Sequence, residues 1–144
     1  MNKVKVFFDL ERIDEDYPPV DVESVWADAL ADGTFRIDNV PFFATRATLG
    51  DIIRTVSQDG QNFYSTTAIE SSNSLIRVIL FDGNDPQPLR AALASLGCES
   101  ELSHLSALIA VNVPANVDIA VVQKLLNAGS LSGEWDYEEP LLRQ

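Results

Sequence analysis

The sequence has 144 residues, 46% hydrophobic and 22% charged, and this composition is typical of a folded globular protein rather than a disordered chain. Asp and Glu outnumber Lys and Arg by 22 to 10, and the resulting net charge of −12 argues against binding to nucleic-acid phosphates or to anionic membranes. The same charge favours a basic partner, although acidity that serves solubility alone is an equal alternative.

Apolar segments are too short to cross a bilayer. The longest, 75–81 and 105–113, are well below the ~20 residues that a transmembrane helix needs. Residues 1–9 lack the long apolar region of a secretory signal, and the single cysteine, Cys98, excludes an internal disulfide. These features predict a cytoplasmic protein.

The first half of the chain contains five predicted strands with close turns between them. They are Val4–Leu10, Glu23–Leu30, Thr34–Val40, Asp51–Ser57 and Gln61–Ile69. An acidic connection, 11–21, follows the first strand, and the second segment could instead be a short helix. Asp59-Gly60 is a strong hairpin signal. The pattern predicts a small antiparallel β-barrel or a strongly curled sheet.

The second half alternates between strand and helix patterns. Strands are predicted at 74–81, 98–104, 107–113 and 133–138, with helices that begin at Asp85 and Asp118 and end at Gly97 and Gly129. This βαββαβ order is that of a ferredoxin-like unit, so the fold class is α+β. We expect an antiparallel β subdomain at 1–72 and a ferredoxin-like subdomain at 73–144. They are expected to pack closely, or to form one domain.

Residues that could carry chemistry are few. His104 is the only histidine, and a surface or turn position is the expected one. Cys98 is expected to be a small buried residue, because no nearby cation or helix N-terminus would activate its thiol. The glycines form no phosphate-binding loop. We therefore predict no catalytic residue, no metal site and no cofactor.

Two acidic clusters are the strongest candidates for a binding surface. Alternation along the last strand predicts Trp135 and Tyr137 on one side and the carboxylates on the other. Acidic side chains beside aromatic rings suit a partner rich in Lys or Arg, although a solvated face and a charge-protected edge strand are the alternatives. The candidate partner-binding residues are Asp14, Glu15, Asp16, Glu134, Trp135, Asp136, Tyr137, Glu138 and Glu139.

Several segments across nearly the whole chain carry a family resemblance. They are 4–8, 23–27, 35–44, 50–51, 74–78, 96–98 and 133–139, the last reading Gly-Glu-Trp-Asp-Tyr-Glu-Glu. Together they resemble the bacterial proteins grouped as domain-of-unknown-function family 4265. The resemblance implies no established chemistry, so it assigns no catalytic residues. In size and charge alone, the chain is also similar to immunity proteins that neutralise the toxins of competing bacteria.

Three functional hypotheses follow from these observations. The first is a non-enzymatic acidic protein-binding module, above all an immunity protein that neutralises a basic, nuclease-type toxin domain. The second is a small-molecule-sensing regulatory protein, which rests on the ferredoxin-like fold alone. The third is an enzyme built on carboxylates and arginines. The oligomeric state is left open.

Overall fold

The computed structural model describes residues 2–104 and 107–144, and the chain divides into two compact units, Met1–Ser71 and Ser72–Gln144. Nine strands and two helices are formed by these described residues. In chain order they are β1 (Lys3–Asp9), β2 (Val22–Ala29), β3 (Phe35–Ile37), β4 (Ile52–Gln58), β5 (Gln61–Ile69), β6 (Ser74–Leu80), α1 (Pro86–Ser95), β7 (Glu99–Leu102), β8 (Leu108–Val113), α2 (Ile119–Leu131) and β9 (Trp135–Leu141). The predicted α+β class is confirmed.

The first unit is a closed five-stranded barrel with the order β1-β2-β3-β4-β5. Successive strands are antiparallel, and β5 closes on β1 in parallel because the strand number is odd. Two register shifts between β4 and β5 help to bend the sheet. The barrel core is built from alternate strand residues and the loop after β3. Its buried members are Val6, Phe8, Val25, Ala27, Ile37, Ala44, Ala47 and Ile53.

Local sequence signals explain two features of the barrel. β2 is a strand rather than the alternative helix, with Val25 and Ala27 inside the barrel and Trp26 outside. Asp59 and Gly60 connect β4 to β5 as predicted, with φ values of 52° and 79°. Both values are positive, as the tight hairpin turn requires.

β3 is shorter than the predicted strand, which ran to Val40. The ladder ends at Ile37 because the next residues bond to β2 differently. The backbone N–H of Asp38 donates to the backbone carbonyl of Trp26 at 2.8 Å. The backbone N–H of Trp26 donates to the side-chain oxygen of Asn39 at 2.5 Å. A side chain thus replaces the backbone acceptor, and the chain leaves the sheet before Pro41.

The second unit is a four-stranded antiparallel sheet with the order β7-β8-β6-β9 and two helices. One sheet face and both helices share a core. Its most buried members are Ile76, Val78, Leu93, Ile109, Val111, Val113, Val122 and Leu126. The side chains of Leu75 and Arg77 on β6 alternate with this set and are also buried, as the nearly continuous apolar run predicts, whereas Ile79 on the same face is 44% exposed. The second face of β6 is therefore covered only in part.

The helices begin where predicted, but α2 ends later. Asp85 and Asp118 cap them, each with a carboxylate that accepts a backbone N–H two residues on. The prediction that α2 ends at Gly129 is wrong, because that glycine lies inside the helix against the indole of Trp135. A β-carbon there would lie 1.9 Å from a ring atom. Gly133, with φ of 79°, follows the actual end. No helix among the described residues has the length and apolar character needed to cross a membrane.

Candidate functional site

An exposed tryptophan on the outer wall of the barrel marks the candidate site. Trp26 points away from the core because β2 alternates, and its side chain is 44% exposed. In the β1–β2 ladder, Lys5 lies opposite Trp26 and Lys3 lies opposite Asp28. The register therefore brings two lysines of β1 next to an indole and a carboxylate of β2.

These cross-strand pairs are in contact. The Lys5 ammonium lies 4.5 Å from the centroid of the Trp26 ring, which is the geometry of a cation–π interaction. The Lys3 ammonium lies 2.8 Å from the Asp28 carboxylate and also contacts the carboxylate of Asp38. Hydrogen bonds to Asp28 and Asp38 raise the pKa of Lys3. Lys3 thus contacts two carboxylates, whereas Lys5 covers an aromatic ring.

A cleft of about 280 Å³ lies at this point, lined by Lys3, Trp26, Asp38 and Asn39. Its volume is near the lower end for small-molecule pockets, which measure about 300–1,000 Å³. The cleft therefore suits one side chain or a comparably small group rather than a dinucleotide. It combines an indole surface with a half-exposed carboxylate, and it holds no nucleophile–base pair.

The segment after β3 that supplies Asp38 and Asn39 is held by a buried carboxylate. Glu23 on β2 accepts three backbone N–H groups, from Phe42 at 2.6 Å, Phe43 at 2.9 Å and Ala44 at 2.8 Å. Glu23 is only 9% exposed, so these bonds are the compensation for its desolvation. Its role is to fix the loop that completes the cleft wall.

The first predicted acidic cluster lies in the exposed loop between β1 and β2. Arg12 organises this loop by donating to the Asp21 carboxylate at 2.8 Å and to the carbonyl of Pro18 at 3.0 Å. Asp14 accepts the backbone N–H groups of the second and third residues after it, at 2.9 and 2.8 Å. The Asp14 carboxylate therefore holds the loop together, while Glu15 and Asp16 extend into solvent.

The second predicted cluster lies on β9, an edge strand that pairs with β6. Asp136 and Glu138 are exposed, and their side chains alternate with those of Trp135 and Tyr137 as predicted. Glu134, also exposed, precedes the strand. Glu139 accepts a hydrogen bond from the Gln123 side chain at 2.7 Å. Glu138 lies 3.8 Å from the guanidinium of the buried Arg77 on β6. The exposed side of β9 is thus a row of carboxylates, one of which is paired with an arginine of the same unit.

The aromatic residues of β9 belong to the interior. Trp135 is only 8% exposed, and its ring N–H donates to the carbonyl of Leu126 at 2.9 Å. Tyr137 packs against the same core and donates its hydroxyl to Asn127 at 2.6 Å. Trp135 therefore does not lie beside the carboxylates on the exposed surface.

Neither Cys98 nor His104 forms a site with other described residues. Cys98 is buried, and burial raises the pKa of its thiol, which lowers the thiolate population. His104 is exposed in a turn, as expected, next to residues 105–106 outside the described ranges. Across 2–104 and 107–144, no three or more His, Cys, Asp or Glu side chains are grouped to hold a metal ion.

Comparison with known proteins shows the family and the fold. The family model described as "Domain of unknown function (DUF4265)" matches residues 23–137, which is most of the chain. The chain belongs to the DUF4265 family. A crystal structure of a hypothetical protein from Neisseria gonorrhoeae shares its fold, with a TM-score of 0.86 and 22% identity over 100% of this chain and 98% of that chain. No curated protein matches it.

The region matched by the DUF4265 model includes some candidate residues and leaves out others. Trp26, Asp38 and Asn39 of the cleft lie inside it, as do residues 134–137, whereas the acidic loop 14–16 lies outside. The cleft residues were not among those predicted from the sequence. The available signal was the alternation of β2, which put a tryptophan on the face opposite Val25, and an exposed large aromatic residue is itself informative.

Proposed function

We propose that this protein is a non-enzymatic acidic binding module whose partner is a basic protein. Within that class, we propose an immunity protein that covers the basic surface of a nuclease-type toxin domain. The observation that carries the proposal is the carboxylate row of β9, where exposed Asp136 and Glu138 lie on the edge strand of the sheet. Such a row attracts a basic surface by long-range electrostatics.

Charge and chemistry support the same assignment. Acidic residues outnumber basic ones in both units, so the field around each unit is negative. Glu15 and Asp16 add a second exposed acidic site in the barrel loop. The similarity to immunity proteins rests on size and charge, so the partner has to be identified by experiment.

The test is affinity capture of the tagged full chain in a lysate of its own host, with the product of an adjacent gene co-expressed as a defined candidate. We expect a basic protein to be captured at low ionic strength and released as salt screens the interaction. E134Q/D136N should slow association about tenfold, because two exposed charges are removed while Glu138, the ion-pair partner of the buried Arg77, is kept.

A matched control removes the same number of charges from the same unit. Asp82 and Glu99 are exposed and lie outside β9, so D82N/E99Q should bind almost as the wild type does. Equal loss in both variants would reduce the effect to net charge and would refute a β9 interface. Recovery of no protein partner would refute the binding role.

A second candidate function follows from the topology of the second unit. We propose that this unit is ferredoxin-like, supported by its βαββαβ order and its strand order β7-β8-β6-β9. By fold analogy it would then sense a small molecule. Thermal-shift measurements with amino acids and nucleotides test this, because a metabolite that binds the folded state raises the melting temperature. If none of these compounds raises the melting temperature, the sensing proposal is refuted and only the protein-binding proposal remains.

A further inference from the structure

The lysines that contact the walls of the Trp26 cleft indicate which kind of group the cleft accepts. The ammonium of Lys5 lies over the indole, and the ammonium of Lys3 lies between Asp28 and Asp38. Each recognition element of the cleft, the aromatic surface and the carboxylate, is thus occupied by a cation of the same chain. Both lysines are exposed, so their displacement by another cation requires no unfolding.

The charges at the cleft balance, because two carboxylates lie near two lysine ammonium groups. A cationic ligand therefore binds by exchange with one of these lysines. Two carboxylates share the single ammonium of Lys3, and the side chain of Asp38 is 48% exposed. A ligand that binds Asp38 leaves Lys3 its other partner, the less exposed Asp28, at 2.8 Å. The negative field of the first unit favours such a ligand over an anion.

We propose that this cleft binds the guanidinium group of an arginine side chain from a basic peptide or protein, stacked on Trp26 and paired with Asp38. A guanidinium fits this combination better than an ammonium, because it is planar, stacks on aromatic rings and donates two parallel hydrogen bonds to a carboxylate. A cleft of about 280 Å³ accepts one such side chain. The site shares no residue with the acidic loop or with β9, so it goes beyond the function proposed above.

Nuclear magnetic resonance of the full chain provides a direct test. The protein contains two tryptophans, and their indole N–H signals are assigned with W26F. The probe is N-acetyl-arginine amide, with N-acetyl-lysine amide and N-acetyl-aspartate amide as comparisons. We expect arginine to shift the Trp26 signal saturably with a dissociation constant in the millimolar range. The buried Trp135 signal should stay in place.

Three variants separate this role from a structural one. D38N should weaken arginine binding about threefold, because an exposed ion pair is lost. K5Q should tighten it about threefold, because the competing ammonium leaves the indole. D136N, with the same change of charge on β9, should leave the dissociation constant unchanged, and this separates the cleft from the β9 proposal.

The sign of the K5Q effect decides between cation and anion recognition. If Lys5 bound an anionic ligand, K5Q would weaken binding, and the aspartate probe would shift Trp26 more than the arginine probe does. Either result would overturn the proposal, as would the absence of a saturable Trp26 shift with arginine at millimolar concentrations.

Discussion

Replacement of Glu23 by glutamine should strongly destabilise the barrel although it changes few atoms. Glu23 accepts three backbone N–H groups with two carboxylate oxygens and is 9% exposed. In E23Q the remaining amide oxygen can still accept from Phe43 and Ala44. The amide nitrogen then faces the N–H of Phe42 across 2.6 Å, so a donor meets a donor in a site with little access to water.

The expected loss is about 3 kcal/mol. Two charge-assisted hydrogen bonds become neutral ones, at a cost of about 1 kcal/mol each. The third bond is lost and leaves a desolvated donor, which costs about 1–3 kcal/mol, and partial relaxation of the loop recovers some of the total. The loop after β3 should loosen as well, because these three bonds hold it to β2.

Urea denaturation followed by circular dichroism and tryptophan fluorescence measures the change in the free energy of unfolding. The matched control is E15Q, the same substitution on an exposed side chain of the acidic loop, and it should stay within about 0.5 kcal/mol of wild type. An E23Q protein as stable as E15Q would refute the reasoning, because the three bonds would then contribute nothing to stability.

Three further predictions concern the second unit. G129A should cost about 1–3 kcal/mol in urea denaturation, because its β-carbon would lie 1.9 Å from a ring atom of Trp135; a gain in stability from helix propensity would contradict the packing. Cys98 should react slowly with iodoacetamide in the native state and rapidly in urea, since burial raises its pKa, and rapid native labelling would contradict this. Burial and the Glu139 and Asp136 carboxylates raise the pKa of Tyr137. The folded state therefore holds the phenolic proton more tightly than the unfolded state does. The stability that this adds is fully present below the ordinary pKa of 10.0, and it is lost as the pH rises through the higher pKa of the folded state. Urea midpoints of Y137F should fall less steeply than those of wild type above about pH 9, and parallel curves would contradict the assignment.

Most of the fold could be predicted from the periodicity of apolar residues and from the residues that favour turns. The alternation of β2, the Asp59-Gly60 turn and the aspartate caps of both helices are local signals, and a short window of residues contains all the physics that they need. The barrel could be predicted because several short strands with close turns must bury one face each, and closure of the sheet does this.

The errors arose where tertiary contacts override a local signal. Glycine is typical of a helix end, which is why Gly129 was predicted to end α2. It lies inside the helix because the Trp135 indole comes so close that no side chain fits there. β3 ends early because the Asn39 side chain takes the place of a backbone acceptor. In both cases a side-chain contact decides the structure, and local propensities do not include such contacts.

The candidate sites show the same division between local pattern and register. The acidic clusters are runs in the sequence, so composition finds them, but Trp135 could equally have faced solvent or core until the position of α2 was known. The cleft requires the β1–β2 register, which puts Lys5 opposite Trp26, and the Asp38 side chain from beyond β3. Alternation alone already places Lys3, Lys5 and Trp26 on the outer wall, so the exposed indole beside two exposed cations could have been found from the sequence, whereas the contribution of Asp38 could not.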